Sequence, residues 1–154
     1  MSVKVQKEDF DVAAEVARVT HAGADVGAAV TFTGICRSDT GRLEALEIEY
    51  YPGMAEAEIA RIVDEAKARW PLDGVSVVHR YGRMLPGDNI VLVVTASAHR
   101  GDAFAAAEFL MDYLKTSAPF WKKEHLAGQA GDWVEAAERD DVAVERWASA
   151  AGRR

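Results

Sequence analysis

The sequence predicts an α+β fold, and three observations predict it. Segments with strand alternation and segments with helical period follow one another as αββαββα, an order that does not alternate strictly and so disfavours a doubly wound parallel sheet. The chain has 154 residues, 49% hydrophobic and 28% charged, which is the balance and size of one globular core. No repeat and no Pro/Ser/Gly-rich stretch divides it, so residues 1–154 are expected to form a single domain with a frayed tail from about residue 148.

Each element has a local reason. Val12, Val16 and Val19, with Ala13 and Ala17, recur at helical spacing behind Asp9 or Asp11, either of which can cap a helix start. Between Ala24 and Gly34, Ala28, Val30 and Phe32 alternate with Ala29, Thr31 and Thr33, the period of a strand. After a loop at 36–41, Leu46, Ile48 and Tyr50 alternate with Glu47, Glu49 and Tyr51 up to the turn pair Pro52-Gly53. These two strands are expected to be antiparallel neighbours. Ala55, Ile59, Ile62, Val63, Ala66 and Trp70 then share a helical face until Pro71 stops it. Val75–His79 and Ile90–Ala98 are rich in β-branched residues and are separated by the turn chemistry of Pro86-Gly87-Asp88-Asn89. Phe104, Ala107, Leu110, Met111 and Leu114 mark a last helix, ended by Pro119.

Charge and cysteine content narrow the function. A net charge of −7 argues against a protein that coats a polyanion, so any anion site must be local. The sole cysteine, Cys36, can form no internal disulfide, which fits a reducing compartment. Residues 1–8 offer no apolar run for a signal peptide, and the apolar stretch 90–98 is far shorter than a membrane span, so a cytoplasmic location is expected. The histidines form no metal-ligand pattern, and the phosphate-loop, dinucleotide and serine-hydrolase motifs are missing; neither a metal nor a cofactor is expected.

Local basic residues carry the chemistry. His99-Arg100-Gly101-Asp102 joins an apolar strand to a helix, where free amides, the helix dipole and an arginine fork could hold phosphate or carboxylate; the bland alternative is a surface loop with Arg100 paired to Asp102. Lys115 lies at a helix end, where the dipole favours a cation whatever its function. Phe120-Trp121 precede Lys122-Lys123-Glu124-His125, an arrangement that could stack a flat heterocycle and neutralise its charge, or pin a loop onto the core. Cys36 beside Arg37 is either an activated thiol or, as free cysteines usually are, a small buried hydrophobe.

With these residues in view, the chain resembles the large, catalytic subunit of molybdopterin synthase. The likeness runs from about Gly27 to Trp133 and rests on Ala29-Val30-Thr31-Phe32-Thr33-Gly34 followed by Arg37, on Glu49-Tyr50-Tyr51-Pro52-Gly53-Met54-Ala55, and on Arg69-Trp70-Pro71-Leu72. His79-Arg80, Ser97-Ala98-His99-Arg100, Met111-Asp112-Tyr113-Leu114-Lys115-Thr116 and Ala118-Pro119-Phe120-Trp121-Lys122-Lys123-Glu124 complete it.

The resemblance implies an α/β-hammerhead-type fold with additional antiparallel strands. It implies conversion of cyclic pyranopterin monophosphate to the dithiolene molybdopterin in molybdenum cofactor biosynthesis, with sulfur from the thiocarboxylated Gly-Gly tail of a small ubiquitin-like subunit. It implies a central dimer of large subunits within a heterotetramer. Residue by residue, it assigns catalysis to Lys115 and Lys122, and substrate binding to Arg37, His99, Arg100, Lys115, Lys122, Lys123 and Glu124. Two departures stand out: Cys36 occupies a position where the family commonly has no thiol, and after Trp133-Val134 the nearest arginine is Arg139, later than the family arginine that reaches the neighbouring subunit's site. Two rivals are a persulfide sulfurtransferase working through Cys36 and a non-enzymatic scaffold that only binds a ubiquitin-like partner.

Overall fold

The computed structural model describes residues 1–21, 23–128, 131–134 and 138–150. In chain order the elements are β1 (Ser2–Gln6), α1 (Val12–Thr20), β2 (Ala28–Ile35), β3 (Leu43–Tyr50), α2 (Met54–Arg69), β4 (Leu72–Arg80) and β5 (Gly82–Met84). They continue with β6 (Asn89–Ser97), α3 (Arg100–Thr116), β7 (Phe120–Leu126), β8 (Asp132–Val134) and α4 (Glu138–Ala150). The α+β class expected from the sequence is the one observed, with the additional antiparallel strands gathered into a second sheet.

The first sheet has the order β1-β4-β6-β2, with β1 parallel to β4 and the other pairs antiparallel. Its central strands are covered on both faces. Val75, Val77, Val91 and Val93 pack against Ile59, Ile62 and Val63 of α2 and Phe109 and Leu110 of α3. Val78, Leu92, Val94 and Ala96 pack on the opposite side with Phe10 and with Val19 of α1. Burial on both faces is why β4 and β6 read as continuous apolar runs rather than as alternating strands. The second sheet, β5-β3-β7-β8, is antiparallel throughout, and Leu46, Ile48 and Met84 meet Cys36 in a core of their own.

Helix ends follow local chemistry. Asp11, not Asp9, caps α1, its carboxylate accepting from the Ala14 amide at 3.0 Å. Gly53 precedes α2 with φ of 85°, a conformation that favours glycine, and its amide donates to the Glu56 carboxylate at 2.7 Å. Trp70 is extended, as the residue before Pro71 should be, and α3 stops at Thr116, short of the Ala118-Pro119 step.

Several expectations need correction. β2 and β3 are not neighbours: β2 pairs with β6 at one edge of the first sheet, and β3 sits between β5 and β7 in the second. Alternation identifies a strand but not its partner, and the segment 36–42 is too long for a tight hairpin turn. The expected count also omitted β1, β5, β7, β8 and α4. The lysine-rich segment after Pro119, read as a loop, is strand β7. Helix α4 runs to Ala150, and residues 151–154, the end of the expected frayed tail, lie outside the described residues. Among the described residues no helix is long and apolar enough to cross a membrane.

Candidate active site

The last turn of α3, the start of β7, the end of β2 and the inner strands β4 and β6 converge on a cavity of about 100 Å³. Phe32, Gly34, Ile35, Val91, Leu114 and Phe120 are among its mostly apolar walls. Its polar lining is Lys115 from α3, Lys122 from β7 and His79 from β4. Helix α3 delivers Lys115 because Leu114 beside it is buried in the core, leaving the lysine exposed at the cavity rim. Strand β7 delivers Lys122 through its register: Lys122 is opposite Ile48 on one side and Val134 on the other.

Burial is the main reason that the Lys122 ammonium titrates below the ordinary lysine range; the charge of Lys115 adds to it, and Asp140 on α4 partly offsets it. His79 is more deeply placed, 6% exposed, and its ring stacks on Phe120 with centroids 3.8 Å apart and planes 15° from parallel. Its Nδ1 lies 2.8 Å from the Arg80 carbonyl oxygen. Desolvation, with the charges of Lys122 and Lys115 behind it, lowers the imidazole pKa to about 4, so the ring is neutral at physiological pH. Two ammonium groups and a neutral imidazole in an apolar cleft can bind an anion, stabilise a developing oxyanion and move a proton at Lys122.

Not every residue singled out in the sequence joins this cavity. Glu124 shares the parity of Lys122 along β7, whereas Lys123 has the opposite parity and places its ammonium 5.8 Å from the Trp133 ring centroid. Arg37 follows β2, is exposed, and pairs with Asp39 at 2.6 Å. His99 caps α3 with extended backbone and no side-chain cap bond, and Arg100 opens the helix; both are exposed. Arg100 and Lys115 are fifteen positions apart on the helix, about 22 Å along the axis, so in one chain they stand at opposite ends of α3. The side chain of Arg139 lies outside the described residues.

Cys36 is 3% exposed, and burial followed by the charges of Asp88 and Glu124 pushes its thiol pKa up. That is the environment of an inert core thiol rather than of a persulfide carrier. Sequence reasoning gave His79 no role; the available signal was a single histidine ending an otherwise apolar strand, which by itself reads as core.

Fold and cavity together describe an α+β domain with a mostly apolar cleft lined by two lysines and a buried histidine. The family model described as MoaE protein matches residues 5–117. Over 149 residues the chain is 62% identical to the molybdopterin synthase catalytic subunit of Mesorhizobium japonicum, covering 96% of this chain and 94% of that one. Among solved structures, a molybdopterin biosynthesis MoaE protein from Burkholderia ambifaria superposes with a TM-score of 0.83 at 47% identity, covering 96% of this chain and 97% of the other. Molybdopterin synthase from Staphylococcus aureus does so with a TM-score of 0.79 at 34% identity, covering 85% and 95%. The chain belongs to the MoaE family. It is an enzyme, and its place is the sulfur-transfer step of molybdenum cofactor biosynthesis.

Proposed function

We propose that this chain supplies the catalytic pocket in which a C-terminal thiocarboxylate on a small ubiquitin-like subunit sulfurates cyclic pyranopterin monophosphate. The observation that carries the reading is the convergence of Lys115 and Lys122 on one apolar cavity. The thiocarboxylate sulfur forms a C–S bond to a carbon of the substrate as a C–O bond of that carbon breaks. The oxygen leaves as water with a proton from a lysine ammonium, or stays on the phosphate as the cyclic diester opens, and the tail is then joined to the substrate through an acyl–sulfur bond. Water then adds to the acyl carbon, the resulting oxyanion is stabilised by a fixed ammonium, and collapse breaks the acyl–sulfur bond. The sulfur stays on the substrate and the tail leaves as a carboxylate; a second charged tail repeats the cycle to complete the dithiolene. Lys122, whose ammonium loses its proton more readily than an ordinary lysine, is suited to take the proton from the attacking water.

Arg37, His99, Arg100, Lys123 and Glu124 are assigned to substrate binding at the mouth of the pocket. About 22 Å of helix between Arg100 and Lys115 supports a division of labour in a dimer of this chain, the exposed start of α3 in one copy serving the pocket of the other. The dimer forms the centre of a heterotetramer with one small subunit at each end, in the cytoplasm. Mass spectrometry of cyclic pyranopterin monophosphate incubated with this chain and the thiocarboxylated small subunit tests the reading. Molybdopterin should appear with both proteins, and its formation by this chain alone from sulfide or thiosulfate would overturn it.

A further inference from the structure

Resting on that reading, we infer that His79 is a further positioning residue: its Nε2 accepts a hydrogen bond from the terminal amide N–H of the sulfur-carrying tail, and so holds the acyl carbon between Lys115 and Lys122. The Arg80 carbonyl oxygen can only accept, so at 2.8 Å the His79 Nδ1 must carry the ring hydrogen, and the lone pair is on Nε2. The one hydrogen bond of the ring among the described residues is that at Nδ1, which leaves Nε2 without a protein partner there, and the ring lies on the cavity wall. The stack on Phe120 fixes the ring plane, so the acceptor is aimed rather than free to turn.

The cavity thus recognises two things. Its ammonium groups attract an anion, and its neutral imidazole offers an acceptor, while the rest of the wall is apolar. A ligand that satisfies both must carry an anionic end and an N–H donor a short distance apart, with no bulk between them. A C-terminal glycine thiocarboxylate has this form: one carbon separates its acyl group from its amide N–H, and it has no side chain to clash with Phe32 or Leu114. The proximity of Lys115 and Lys122 also explains why the acceptor is a histidine held neutral, since a protonated ring here would repel both lysines and could not accept a hydrogen bond.

The test uses the small subunit made semisynthetically with a thiocarboxylate on either glycine or N-methylglycine, assayed in single turnover with the wild-type chain and with His79→Phe and His79→Gln. N-methylation of the tail and His79→Phe should each raise the partner concentration needed for half-maximal rate by roughly 3- to 10-fold, the worth of one neutral hydrogen bond. Combined, they should cost no more than either alone, because the same bond is missing in both. His79→Gln, which can place an amide oxygen in the cavity, should restore part of the loss. In the unsubstituted chain, the 15N resonance of His79 Nε2 should shift when the glycine-tailed partner binds and stay in place with the N-methylated one, a readout that needs no variant to fold. Effects that multiply, or an unmoved Nε2 resonance, would overturn the role of His79 while leaving the reaction intact. Failure of the wild-type pair to make molybdopterin would instead overturn the reading of the reaction.

Discussion

Lys115 and Lys122 reach one cavity from different elements, the former from the last turn of α3 and the latter from the third position of β7, and the charge of Lys115 adds to burial in making Lys122 a weaker base than an ordinary lysine. Neither position is unusual for a lysine alone. Their convergence is, because two ammonium groups facing one apolar cleft repel each other unless an anion joins them.

Arg100→Ala should weaken substrate binding and leave turnover at saturation nearly unchanged, since Arg100 is exposed at the far end of α3 from the lysines. A loss of about tenfold or more in substrate affinity is expected for a charge-assisted contact to phosphate. Equilibrium binding of the pterin phosphate measures it, and unchanged affinity would place the phosphate elsewhere.

Buried neutral His79 makes stability depend on pH in a defined window. Its folded pKa, about 4, lies below the ordinary value of 6.5, so between those limits the unfolded chain binds the extra proton and stability falls as pH drops from about 6.5 toward 4. The loss from this residue approaches about 3 kcal/mol at the acid end. Urea midpoints at neutral and mildly acid pH should differ less for His79→Phe than for the wild-type chain; an equal difference would mean that the ring is not buried neutral.

Glu15 ties α1 to the first sheet. Burial would raise its pKa, but hydrogen bonds from Arg18, from Ser76 at 2.8 Å and from Lys4 at 3.2 Å overcome that and hold the carboxyl below its usual range. Because Lys4 and Arg18 are about half exposed, at 48% and 46%, they regain water when the carboxylate is removed. Glu15→Ala should therefore cost about 1–2 kcal/mol rather than the larger loss of a fully buried pair. The stabilisation from this carboxylate is present at neutral pH and disappears as acid protonates it. Denaturant titration of the variant tests both statements.

Gly34 lies in the cavity wall, where an added Cβ would stand 2.6 Å from Cγ1 of Val91, another wall residue. Gly34→Ala should destabilise by about 1–3 kcal/mol through overpacking and reduce turnover by narrowing the cleft. Adding Val91→Ala should recover part of the stability, a non-additive rescue that a purely backbone effect would not give.

Legibility in the sequence followed burial. β4 and β6 were plain because both faces are apolar, and α2 because one face is and Pro71 ends it. β7 was hidden because its central residues Lys122, Lys123 and Glu124 are charged and partly exposed, so composition imitates a loop while the ladder to β3 makes a strand. β1 escaped notice as a short edge strand whose parallel partner β4 comes much later in the chain. Lys115 and Lys122 were identified through resemblance and the structure places both on one cavity, but His79 joins them only through sheet topology, which no local spacing reveals. Cys36, tempting beside Arg37, is explained by the packing of Leu46, Ile48 and Met84 around it.

The most direct test of the central claim is single-turnover formation of molybdopterin with saturating thiocarboxylated partner and substrate, comparing the wild-type chain with Lys115→Ala, Lys122→Ala, the double variant and Lys115→Arg. If both lysines act on the transition state, each alanine variant should fold, bind the partner with near-normal affinity and react roughly 100- to 1000-fold more slowly. The double variant should be no worse than additive, and Lys115→Arg nearly as slow as Lys115→Ala because a guanidinium keeps the charge but has a larger planar head and does not give up its proton. Near-normal rates in Lys115→Ala or Lys122→Ala would contradict the assignment and reduce that lysine to a structural cation.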